Sequence, residues 1–114
     1  MSADKLDEAH DHVGRRMRTL AQCALHKRTL RLTCPACGRS RVMDAAALWW
    51  LFLRKGWDDG LPTVAKRLCC EPCRDGRKTI VRPRWTVTRD TPEGAQPPHP
   101  DRREWRKLVS RYRS

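Results

Sequence analysis

The chain has no apolar run long enough to cross a membrane. Its longest, Ala45 to Leu53, falls well short of the roughly 20 residues a spanning helix needs. Met1 to Val13 is charged and holds neither an apolar stretch nor a small-residue cleavage motif, so no secretory leader is expected. A cytoplasmic setting with reduced thiols follows as the expectation. No glycine-rich phosphate loop is present, and no nucleophile stands beside a general base. The expectation is a protein without enzymatic activity, small-molecule substrate or membrane role. Acid is scarce: 13 Asp and Glu oppose 25 Lys and Arg, for a formal net charge of +12. Such an excess favours polyanions such as nucleic acid or an acidic protein surface.

With 114 residues the chain has room for one small domain and its arms. The expected organisation is an arm over 1–18, a domain over 19–88, a Pro-rich linker over 89–100 and a basic amphipathic helix over 101–114. The domain is small enough that a metal staple is the expected remedy for a thin core.

Cysteine is the residue the chain does supply. Six are present, an even number that would suit a disulfide scaffold, but reduced thiols make metal ligation the better reading. Cys34-Pro35-Ala36-Cys37 and Cys70-Glu71-Pro72-Cys73 are two C-x-x-C pairs, each able to put two sulfurs on one ion. Together they offer the four thiolates of a tetrahedral structural zinc. Cys69 is also spaced to pair with Cys73. Cys70 is preferred because it repeats the geometry of the first pair, leaving Cys69 to face away. Cys23, alone on an expected helix, reads as a buried thiol. His10, His12, His26 and His99 read as solvated rather than ligating. A zinc held by four thiolates has no open position, so it cannot activate water.

Periodicity places elements around the two pairs. Leu6, Ala9, Val13 and Met17 stand at helical spacing in the arm. Thr19 can cap a helix over Leu20 to His26. Thr29 to Thr33 alternates as a strand, and Ser40 to Met43 reads as its return partner. Gly38 sits where the first knuckle must turn through positive φ. Arg74, not glycine, follows Cys73, which predicts a looser second knuckle. Asp44 caps a helix over Ala45 to Lys55, and Gly56 stops it. That helix is apolar on nearly every face, so either the arms or a partner must cover it. Trp57 to Gly60 reads as a turn, and Leu61 to Leu68 as a helix with Pro62 in its first turn. Lys78 to Thr88 reads as a third strand with Pro83 at an edge or bulge. Asp101 and Glu104 open the C-terminal helix.

Leu32 to Arg39, then Asp44 with an alanine- and leucine-rich helix, then Arg67 to Cys73, resembles a group of short bacterial zinc-ribbon proteins. The resemblance spans residues 19–85. It implies one structural Zn²⁺ on Cys34, Cys37, Cys70 and Cys73, and it carries no function of its own. The doubled Cys69-Cys70 and the missing glycine after Cys73 depart from the pattern.

The expected fold is therefore small α+β. A zinc-ribbon-like hairpin and a third strand surround one four-cysteine zinc site, with two short helices between the knuckles and helical arms. The expected function is non-enzymatic binding of nucleic acid, DNA or RNA, mainly through phosphates. Arg39, Arg41, Lys66, Arg67, Arg74, Arg77, Lys78, Arg82 and Arg84 would supply charge, with Trp85 for stacking. The plainer reading is that several of these offset the negative charge of a four-thiolate zinc. The alternative function is a protein-interaction adaptor, or self-association, through Trp49, Trp50, Phe52, Trp105, Leu108 and Tyr112.

Overall fold

Thr19 opens the first helix, α1 (Leu20–Leu25). Its hydroxyl accepts from the Gln22 N–H at 3.1 Å, and the Gln22 side chain accepts from the Thr19 N–H at 3.2 Å. This reciprocal box satisfies two donors that a helix start leaves open. Asp59 satisfies two more: its carbonyl accepts from Leu20 N–H at 2.9 Å and its carboxylate from Ala21 N–H at 3.0 Å. The turn expected over 57–60 is thus tied to α1. These contacts come from a computed structural model that describes residues 16–113. The helix expected in the arm lies outside them but for its last two positions.

Three strands form one antiparallel sheet in the order β2-β1-β3: β1 is Thr29–Thr33, β2 Ser40–Asp44 and β3 Arg84–Thr88. Alternation in β1 puts Leu30 and Leu32 on one face. Leu30 stands opposite Met43 and Val87, and Leu32 opposite Trp85. That face meets α1 and α2 (Ala45–Lys55) in one apolar core. Asp44 starts α2 by accepting from Ala47 N–H at 3.0 Å, and Gly56 ends it at φ 70°. Then follow α3 (Leu61–Arg67) and α4 (Glu71–Arg77). The architecture is small α+β.

Helix α1 packs along α2, and helix α5 (Arg102–Arg113) joins the same core. Asp101 accepts from Glu104 N–H at 2.9 Å. Leu108 is fully buried in the same core as Leu48, Trp49 and Phe52, with Trp105 packed beside it. This corrects the adaptor surface. Phe52 and Leu108 have no exposed area and Trp49 very little, so they are core, not docking residues. Trp50 and Trp105 are half-buried, and the Arg54 guanidinium lies over the Trp50 ring. The side chain of Tyr112 lies outside the described residues.

Two further segments differ from expectation. The third strand covers only 84–88, because Lys78 takes the left-handed conformation at the end of α4 and Val81 turns its carbonyl to Cys70. Stretch 89–100 does not hang free. Glu93 N–H donates to the Val42 carbonyl at 2.9 Å, and the Glu93 carboxylate accepts from Val42 N–H at 3.2 Å. The Gln96 side chain accepts from Asp44 N–H at 3.0 Å and donates to the Val42 carbonyl at 3.1 Å. The outer edge of β2 is thereby occupied, which blunts strand addition there.

Replacing Leu108 with alanine removes a buried side chain that joins α5 to the core. Denaturant unfolding should show a loss of about 2–4 kcal/mol. Alanine at Leu53, which is 44% exposed, should change stability by less than about 0.5 kcal/mol.

Candidate metal centre

The first cysteine pair sits on the turn between β1 and β2. Cys34 N–H donates to the Arg39 carbonyl at 2.8 Å, and Gly38 N–H returns to the Cys34 carbonyl at 2.9 Å. Gly38 adopts φ 78°, a conformation open to glycine and strained for most residues. The turn also brings Cys37 N–H to within 3.4 Å of the Cys34 sulfur.

The second pair is built differently. The expected looser knuckle is instead the start of α4, with Cys70 at its N-cap and Cys73 in its first turn. Cys70 N–H donates to the Val81 carbonyl at 3.0 Å, and Arg74 N–H to the Cys70 carbonyl at 3.0 Å. The helix start favours negative charge on the sulfurs it carries. Glu71 and Pro72 at the front, with Arg74 and Arg77 behind, are the sequence signal of this helix. Gly76 in its last turn obscures it.

The four sulfurs of Cys34, Cys37, Cys70 and Cys73 all lie within 4.8 Å of one another. Cys34 and Cys73 are 3.7 Å apart, as are Cys37 and Cys70. A disulfide would need about 2.05 Å. Four sulfurs placed tetrahedrally at about 2.3 Å from one ion stand about 3.8 Å apart. The cluster therefore fits a single tetrahedral metal ion. Three of the cysteines are buried and Cys37 is exposed.

As thiols these groups are held apart in protonation. The Cys37 N–H is the main influence that lowers the Cys34 thiol to about 6, against the effect of burial. Burial pushes Cys73 up to about 12, and the neighbouring sulfurs reinforce it. Cys70 is raised as well: the Cys73 N–H pulls it down, but burial with bonds from Cys37 and Cys34 outweighs that pull. An ion bound by these four cysteines would displace the protons of Cys70 and Cys73 and relieve the crowding of the sulfurs.

Cys69 points away from the cluster. It is half-buried, and its sulfur lies 3.9 Å from an Arg74 guanidinium nitrogen. Cys23 is fully buried in the main core. His26 bonds the Gln22 carbonyl, and His99 meets the Asp44 carboxylate at 3.0 Å. His10 and His12 lie outside the described residues.

The basic residues divide by their partners. Arg41 bonds the Glu93 carbonyl, Arg82 donates to the Leu68 carbonyl at 3.0 Å, and Arg74 pairs with Asp75 at 3.1 Å. The Arg67 guanidinium covers the Trp57 ring at 4.7 Å. Trp85 packs half-buried on the core, which leaves it a poor stacking platform. Arg39, Lys66, Arg77, Lys78 and Arg84 are exposed and make no ion pair with any described residue.

Comparison with known protein families, with curated proteins and with solved structures finds no match.

Serine at Cys34, Cys37, Cys70 or Cys73 should abolish retention of one metal ion per chain. Serine at Cys69 or Cys23 should leave it intact. Metal content of the purified, reduced variants checks this, and loss of metal in the Cys69 variant alone would reassign the second pair.

Proposed function

We propose that the chain is a non-enzymatic, zinc-ribbon-like module that holds one structural Zn²⁺ and binds nucleic acid mainly through phosphates. Zinc suits the donor set: four soft thiolates at tetrahedral spacing leave no position for water. Its role is then to fix two chain segments, not to catalyse. Zn²⁺ with four thiolates carries a net charge near −2, which nearby cations offset.

The observation that carries the nucleic-acid reading is the surplus beyond that offset. Arg39 follows the first knuckle, Lys66 lies on α3, Arg77 and Lys78 end α4, and Arg84 begins β3. All five are exposed without an ion pair to any described residue. Exposed cations on segments that carry or flank one centre suit a polyanion, which releases counterions when it binds. Contacts of this kind position a protein and carry little sequence preference. The adaptor reading is weakened because Phe52, Trp49 and Leu108 belong to the core. Among the described residues no helix is long and apolar enough to cross a membrane.

The test is titration of zinc-loaded protein with short duplex and single-stranded nucleic acid across a salt series. Affinity should fall steeply with salt. Alanine at Arg77, Lys78 and Arg84 together should flatten the log–log slope by about 3, at ~0.9 for each phosphate left unneutralised. Absence of binding at low salt would overturn the reading.

A further inference from the structure

Helix α5 has two unlike halves. One half seats Leu108 and Trp105 on the core. The other carries Arg102, Arg103, Arg106, Lys107, Ser110 and Arg111, all exposed and lining one shallow depression. Arg102 and Arg106, Arg103 and Lys107, and Lys107 and Arg111 each stand four apart, where like charges repel. Arg102 and Arg103 also occupy the first turn, where the helix dipole disfavours cations. Glu104 is the one acid in α5, and it pairs with Lys107 at 3.3 Å. Arg102, Arg103, Arg106 and Arg111 make no ion pair with any described residue. The arrangement weakens α5 as a helix and is tolerated because the opposite half is buried. A local conflict of this kind marks a surface kept for a purpose other than stability.

We propose that the exposed half of α5 docks on duplex DNA, lying in the major groove with its arginines on the flanking phosphates. This rests on the nucleic-acid reading above and adds to it a second contact element and a substrate class. The 12 residues of α5 make a rod about 18 Å long, at 1.5 Å per residue. The B-form major groove, about 12 Å wide, admits such a rod. The deep, narrow major groove of A-form RNA does not. Single strands are held by exposed aromatic platforms, and the described side chains of the exposed half offer none. A lipid surface needs the apolar half, which Leu108 has already committed to the core.

The experiment is anisotropy titration of the full-length, zinc-loaded chain with a short DNA duplex and an RNA duplex of the same sequence, over a salt series. Wild type is compared with the triple variant R103A/R106A/R111A and with S110E. DNA should bind at least about tenfold more tightly than RNA. The triple variant should flatten the DNA salt slope by about 3, at ~0.9 per phosphate. S110E should weaken DNA binding at low salt by placing an acid in the middle of the face. Because alanine favours helix and the repulsion is gone, the triple variant should melt no lower than wild type. An unchanged slope in the triple variant, or equal binding of both duplexes, overturns the inference. If R77A/K78A/R84A loses slope while the α5 variant keeps it, the α5 assignment alone fails. If wild type binds neither DNA nor RNA at low salt, the nucleic-acid reading fails as well.

Discussion

Four sulfurs tie together two parts of the chain that otherwise share little. The turn between β1 and β2 brings Cys34 and Cys37, and the start of α4 brings Cys70 and Cys73. The segment around α4 has almost nothing else to hold it. Cys73 is the single buried residue of α4, and the cluster's apolar neighbour is Val81. A helix of seven residues lies below the roughly 12–15 residues at which an isolated helix becomes even marginal in water. Without an ion, burial and mutual proximity hold protons on Cys73 and Cys70, and sulfurs at 3.7 Å make few attractive contacts. An ion on the four sulfurs would therefore be what fixes residues 69–83 in place.

The rest of the chain has a core of its own. Helix α1, the inner face of the sheet, α2, α3 and α5 share one apolar cluster that does not include the four clustered cysteines. The expectation of a domain too thin to stand without metal treated residues 101–114 as an arm outside the domain. Leu108 and Trp105 bring that arm into the core, so the apolar area buried is larger than the region 19–88 alone suggests. An ion held there would thus be a local clamp on a fold stabilised elsewhere. That division leaves two cation-rich surfaces, one around the cysteine cluster and one on α5.

Much of this was legible from residue type and spacing. Thr19, Asp44, Gly56 and Asp101 mark helix ends because each caps by a short-range bond that depends only on local sequence. Alternation in Thr29 to Thr33 marks β1, and paired C-x-x-C spacing marks the four cysteines that cluster. What was not legible depends on distant partners. The polar stretch 89–100 reads as a linker until Glu93 and Gln96 meet the edge of β2. The apolar surfaces of α2 and α5 look like docking faces until α1 is seen along α2 and Leu108 of α5 in the same core. Helix α4 escaped because its sequence is polar and contains Gly76, and its start is set by Cys70 joining a cluster built far away in sequence. The register of Cys69 and Cys70 is likewise decided by packing: one sulfur turns inward and the other toward Arg74.

The most direct test of a local clamp is hydrogen exchange on the reduced chain with metal bound and after its removal by a chelator. The amides of Cys70, Arg74 and Thr79, bonded to Val81, Cys70 and Cys73, should lose protection when the metal leaves. Those of β1 and of α2 near Leu48 and Phe52 should keep theirs. Equal protection of residues 69–83 in both states, or loss of protection throughout the core, would contradict the account.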